Sequence, residues 1–483
     1  MENGSTEDSA EKKGAVIGLR VLLFSMVILG TMIILAGLSS YFIQAGKLTN
    51  VTLNGTKQQV YQVIEQTPVP VWKIVLSPIL SLTGKDGPKI IVLILFIFII
   101  GGSFSVLNKS GVLPGILSNL TRKFFHRKTL FLITNVVIFS LLGSCLGIIE
   151  EVIPLVLIFI PLSYRMGWDS ITGLAIPILS TGFGFAAATF NPFTIGTAQK
   201  LADIALFSGL SIRLPFFIVS TTVVVLYLLY YTRKIEANPE KSPTYEMDKK
   251  IKASLYLRED IKTEKSHTNA VIWIVFCLVL VFGVVLGGMA VPILQTLAFP
   301  LIALVFLIMG IGSGFLSGNK AGKVLSYFLQ GLADFAPAII LILMAAAVGY
   351  LVHEGNVLGT ILYSVSNQTK SLSKETSILV IYGFQMLLNA LIPSGSGQAV
   401  LTIPILAPLG DILNISRQTI VLAFQFGDGF SNVIWPTNPG LLVAIGLARV
   451  SYKDWFRFIL PIQLILFILC CLTLLIAVNI NYV

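Results

Sequence analysis

Charge is scarce in this chain. Of its 483 residues only 12% are Asp, Glu, Lys or Arg, about half the share found in a soluble globular domain, and this excludes a protein folded in water. Cysteine occurs four times, at Cys145, Cys277, Cys470 and Cys471, each time inside an apolar run. The four read as small core residues and exclude a disulfide framework. The three histidines, His126, His267 and His353, fall in expected loops without a second ligand at metal spacing, so no metal site is expected. No Walker A sequence is present, which excludes ATP as an energy source within this chain. Ser396 lacks the first glycine of a nucleophile elbow, and the chain is not expected to be an enzyme. The net charge of +10 sits mostly in short loops between apolar runs, where Lys and Arg orient membrane proteins. Nucleic acid is therefore not an expected partner.

What the chain has in abundance is apolar sequence, 55% of all residues with a mean hydropathy of +0.87. Apolar runs recur from residue 17 to residue 478 and predict an all-α polytopic protein with the lipid bilayer as its surroundings. The first run, 17–43, is too long for a signal-peptide core and is read as a retained span. Others follow at 89–107, 129–163, 170–206, 213–232, 270–289, 294–316, 335–352, 376–413, 418–449 and 455–478. Those at 129–163 and 376–413 are interrupted midway by Gly and Ser, which predicts two half-helices joined at a re-entrant tip. Residues 233–269 are charged, contain two prolines and have no apolar periodicity, so they are expected to form a solvated cytoplasmic linker.

That linker divides two halves which resemble one another. Gly182-Phe183 and Asn191-Pro192 are matched by Gly429-Phe430 and Asn438-Pro439 at a constant offset, and Ser144, Gly147 and Pro154 are matched by Ser394, Gly397 and Pro404 with one short gap. Placing the amino terminus inside puts most of the basic residues on one side, as orientation by Lys and Arg requires. The expected layout is a cytoplasmic tail at 1–16, a first membrane repeat at 17–232, the linker at 233–269, a connecting span at 270–289 and a second repeat at 290–483. The repeats then have inverted topology, each with a re-entrant hairpin and a broken spanning helix, about nine spans plus two hairpins in all. Twelve spans is the alternative if each hairpin arm crosses the membrane.

Irregular backbone at membrane depth survives only where protein or a water-filled cavity satisfies it, so the four interruptions are the expected binding site. They are the tips 143–147 and 393–398 and the breaks 189–194 and 436–440. Asn followed by Pro is a helix start whose free amides favour an anion. The candidates for substrate binding are Asn191, Thr194, Asn438, Thr437, Ser394, Ser396, Gln398, Ser144 and Glu151, with Gln199 and Gln425 as weaker ones. Glu150 and Asp428 are candidates for a coupling ion, H+ or Na+, since a carboxylate at membrane depth is retained chiefly where it has a partner or a cavity. Lys200 is the one basic residue expected near a motif. No other cofactor is expected.

The segments Gly147-Ile148-Ile149-Glu150-Glu151-Val152-Ile153-Pro154, Asn191-Pro192-Phe193-Thr194-Ile195-Gly196-Thr197-Ala198-Gln199 and Ile392-Pro393-Ser394-Gly395-Ser396-Gly397-Gln398-Ala399 resemble the YfcC/DcuC-type family of bacterial membrane carriers, the C4-dicarboxylate anaerobic carriers. The resemblance implies the ion-transporter superfamily, a homodimeric scaffold holding two moving transport domains, and a bacterial inner membrane location. It also implies one of two substrate classes, dicarboxylates or basic amino acids such as arginine exchanged for ornithine. Cys145-Leu146-Gly147-Ile148-Ile149 is bulkier than the small-residue stretch expected there. The expected function is secondary active transport of a small charged metabolite, first an amino acid of the arginine and ornithine class, second a carboxylate, with a passive channel as a further alternative.

Overall fold

Apolar segments without water to satisfy their peptide groups fold as helices, which close their hydrogen bonds internally. The computed structural model of this chain describes residues 19–53, 56–116, 119, 127–259, 268–291 and 297–483. The expected tail at 1–16, part of the linker, and His126 and His267 lie outside the described residues. Among the described residues, six helices are long and apolar enough to cross a membrane: Ser25–Phe42, Gly87–Lys109, Lys128–Leu146, Leu210–Ala237, Ala321–Glu354 and Tyr452–Asn479. Shorter apolar helices include Ser170–Ala186, Pro300–Leu316 and Pro439–Ala448. Large apolar side chains such as Leu35, Leu226, Val279 and Ile468 stand more than half exposed on the outer faces, which suits lipid and not water. The chain is a multi-pass, almost entirely helical membrane protein.

Two groups of helices pack side by side. In one, Gly101 and Gly102 on the helix Gly87–Lys109 leave room for Phe335 and Phe328 of Ala321–Glu354, and Leu19–Phe42 and Ala298–Leu316 pack alongside. In the other, both interrupted segments and both broken helices pack with Leu210–Ala237 and Tyr452–Asn479. Leu210–Ala237 links two polar clusters at opposite ends of this group. At one end Lys128 Nζ and Trp168 Nε1 both meet Glu236 Oε1, at 3.3 and 2.9 Å. At the other, Gln418 Nε2 donates to Ser208 O at 2.7 Å and Arg417 donates to Ala202 O at 2.8 Å. Because Lys128 and Trp168 gather at one residue, the intervening segment turns back on itself, as a hairpin must. In the second interrupted segment Gln398 Nε2 donates across to Gln385 O at 2.9 Å, which sets its arms side by side.

Two expectations need correction. The polar stretch after the first helix contains an antiparallel β-hairpin, Gly46–Leu53 with Thr56–Val63, so the chain is not purely α-helical. Its Thr- and Val-rich strands favour extended backbone, and Asn54-Gly55 between them is a hairpin signal in the sequence. The hairpin lies on the short helix Leu358–Thr369, with Tyr61 stacked on Tyr363 at 4.3 Å between ring centroids. The linker, too, is only partly solvated. It forms a helix, Tyr245–Glu259, whose buried Asp248 accepts from Tyr164 Oη at 2.8 Å, Ser170 N at 3.0 Å and Thr244 Oγ1 at 2.7 Å. Beside it Asp169 accepts from Tyr231 Oη and Ser242 Oγ, both at 2.7 Å. Hydropathy misses such docking because it is made of polar groups matched in three dimensions.

Candidate functional site

Each interruption has a local cause. Asn191 has an extended backbone and its Oδ1 accepts from Phe193 N at 2.9 Å and Thr194 N at 3.3 Å, with Pro192 in the first turn. Asn438 does the same for Leu441 N at 3.0 Å, with Pro439 opening the helix. Ser394 Oγ accepts from Gly397 N at 3.3 Å at the start of Gly395–Ile412. These are three N-capped helix starts, each satisfying part of a free first turn and leaving the positive end of a helix dipole. The fourth start differs. The turn Glu150–Leu155 has no side-chain cap, and Glu151 Oε2 accepts from Ile149 N at 3.2 Å, so a carboxylate of the chain itself occupies the first turn.

The four interruptions converge. Gly147 has φ +70°, and a Cβ there would lie 2.2 Å from Asn191 Oδ1; both the backbone and the space require glycine. Ser144 ties the same tip to the first break, donating to Ala187 O at 2.9 Å and accepting from Thr189 N at 3.1 Å. A Cβ on Gly395 would lie 2.5 Å from Thr194 Cγ2 and 2.8 Å from Asp428 Oδ2, so the second tip sits between the first break and the second broken helix. A Cβ on Gly440 would lie 3.3 Å from both Asn438 Oδ1 and Glu150 Cγ, which places Glu150 against the second break. The broken helices themselves cross where Gly429 meets Ala186.

Buried polar groups nearly always find partners, and here several do not. Asn191 Nδ2, Thr194 Oγ1, Thr437 Oγ1, Gln398 Oε1 and Gln425 Oε1 are buried without a hydrogen-bond partner among the described residues. Neither oxygen of Asp428 is held in a bond of normal geometry, the Asn432 amide being a polar neighbour. Glu150 and Glu151 are half-buried. The set contains donors, acceptors and carboxylates, which is what recognition of a small polar ion requires.

Other expected residues are placed differently. The Ser144 hydroxyl is spent on the first break, and Gln398 spends its amide nitrogen on Gln385 O and Oε1, the latter at 2.6 Å. Ser396 is half-buried beside the second tip. Gln199 lies apart, accepting from Phe207 N and donating to Ser208 O at 3.1 Å, and is structural. Lys200 is exposed. The basic residue next to a motif is Arg213, which is only 2% exposed and donates through Nη1 to Ala188 O at 3.0 Å and Thr189 O at 2.6 Å. Its position at the edge of an apolar run gave no sign in the sequence that it turns inward.

The family model for the C4-dicarboxylate anaerobic carrier, DcuC, matches residues 22–479. An Escherichia coli (strain K12) protein named "Putative basic amino acid antiporter YfcC" is 30% identical over 386 residues, covering 78% of this chain and 75% of that protein. An uncharacterized Haemophilus influenzae protein is 28% identical over 371 residues, 76% of this chain and 71% of its own length. A crystal structure of the Alcanivorax borkumensis YdaH transporter aligns over 96% of this chain and 98% of its own at 17% identity, with a TM-score of 0.44. The matched family and the named relative are transporters and not enzymes. The chain belongs to the C4-dicarboxylate anaerobic carrier family.

Proposed function

We propose that the protein is a secondary active transporter of amino acids of the arginine and ornithine class, binding its substrate where the two hairpin tips and two helix breaks converge. The observation that carries this reading is the balance of charge at the site. Glu150, Glu151 and Asp428 are carboxylates there, whereas the nearby cation, Arg213, is engaged by backbone carbonyls and Lys200 faces outward. A dicarboxylate would set two carboxylates against three more. An amino acid with a cationic side chain would place its carboxylate at the Asn191 and Asn438 helix starts and its cationic groups at the acids. The name of the E. coli relative agrees with this choice.

Placement favours Glu150 over Glu151 for the cationic end, since Glu150 lies against Gly440 of the second break and Glu151 folds back on Ile149 N. Asp428 is the candidate for H+ or Na+ coupling. The matched motifs, and the opposite ends at which the two hairpins have their open sides, support two inverted repeats. The basic loops support an amino terminus inside a bacterial cytoplasmic membrane, and a homodimer is the assembly this reading adopts.

Counterflow in proteoliposomes tests the substrate class. Vesicles loaded with unlabelled arginine or ornithine are expected to accumulate labelled arginine transiently and to leave labelled succinate outside. Succinate counterflow without arginine counterflow would reverse the assignment to a dicarboxylate carrier.

A further inference from the structure

A broken helix presents two ends of opposite sign. The Asn191 start offers partly positive amides, while the segment just before it ends a helix and offers partly negative carbonyls. The two ends lie within a few residues of each other, so an anion site at the start requires that the carbonyls be taken up by donors. In the second break neutral donors do this: Asn389 Nδ2 bonds Asp428 O at 2.9 Å, Gln463 Nε2 bonds Phe430 O at 2.9 Å, Trp455 Nε1 bonds Val433 O at 2.9 Å and Tyr452 Oη bonds Ile434 O at 2.6 Å. In the first break Gln425 Nε2 bonds Phe185 O at 2.8 Å, but Ala188 O and Thr189 O are held by a full positive charge, the guanidinium of Arg213.

That charge has no carboxylate partner among the described residues. Besides the two carbonyls it bonds Ser208 O and lies beside Tyr482, and its Nε has no hydrogen bond. Burying an ion without a counter-ion is costly, and four neutral donors at the other break show that carbonyls alone do not require one. The acids are distributed the opposite way, with Asp428 in the second broken helix and Glu150 against the second break.

We propose that Arg213 is a positioning residue that polarises the binding site. It withdraws the Ala188 and Thr189 carbonyls, fixes the segment to which Ser144 ties the first tip, and makes the first break the positive end, so that a bound amino acid is oriented with its carboxylate at Asn191 and its cationic end at Glu150. This rests on the amino-acid reading and assigns a direction to it.

The full-length protein in proteoliposomes tests the proposal with Arg213→Gln and Arg213→Lys, using arginine and its decarboxylated analogue agmatine as probes. Arg213→Gln is expected to raise the KM for arginine by roughly tenfold or more, the scale of losing hydrogen bonds to a charged group, while inhibition by agmatine is unchanged. Arg213→Lys is expected to recover part of the arginine affinity. Equal losses for arginine and agmatine, or no loss for arginine, would overturn it. A wild-type protein that exchanges no arginine would instead defeat the substrate reading. Geometry can then be read without a substrate, because Cys145 Sγ lies 3.5 Å from Thr189 Oγ1. Thr189→Cys is expected to cross-link to Cys145 under mild oxidation and to lose that cross-link when Arg213→Gln is added. A cross-link unaffected by Arg213→Gln would overturn the positioning role.

Discussion

At the scale of single residues, the two Asn-Pro pairs carry most of the account. Asn191 and Asn438 each use Oδ1 to cap a helix start, and Asn191 keeps a buried Nδ2 without a partner. Replacing either by Leu removes the cap, a loss of about 1 kcal/mol to the helix, and abolishes the polar contact at the site. Transport is expected to fall to background with the variant still inserted, as surface labelling and size-exclusion profiles would establish. Serine at either position also caps a helix start and is expected to retain measurable uptake. Wild-type uptake in both Leu variants would remove the site from this location. The two glutamates separate by placement. Glu150→Gln is expected to weaken arginine binding by roughly tenfold to a hundredfold, the range for a hydrogen-bonded charge, and Glu151→Gln to do less. Equilibrium-binding titrations decide this, and the reverse order would assign the substrate to Glu151.

At the scale of elements, the docked linker offers a test by pH. Burial pushes the Asp248 carboxyl above its ordinary value of 3.8, against the opposing hydrogen bonds from Ser170, Thr244 and Tyr164. A raised value means that the docked linker binds its proton more tightly than the released one. Docking is therefore strongest at low pH and weakens as pH rises from 3.8 through the raised value, with no further change above it. Amide exchange of residues 245–252, corrected for intrinsic rates, is expected to speed up across that window, and Asp248→Asn is expected to abolish the dependence. Protection that rises with pH would contradict the sign. The elements also show what the sequence made legible. Interrupted apolar runs, Asn-Pro starts and Gly-Ser tips were readable because each is a local backbone requirement. The docked linker, the inward turn of Arg213 and the tethering role of Ser144 were not, because each depends on a partner far away in the chain.

At the scale of the whole molecule, the layout separates a packed group of helices from a group that holds the four interruptions. A carrier must bring one site to each side of the membrane in turn, whereas a pore need not move. The two groups meet where Ala321–Glu354 packs on Pro439–Ala448, next to the second break. In the proposed carrier, substrate bound at the convergent breaks is carried by reorientation of the helices around it. Trans-stimulation distinguishes this from a pore, read as the initial rate of labelled arginine uptake into proteoliposomes with and without unlabelled arginine inside. Saturable uptake that is faster into loaded vesicles and absent in Asn191→Leu is expected, and uptake linear in concentration and indifferent to the internal substrate would show a pore instead.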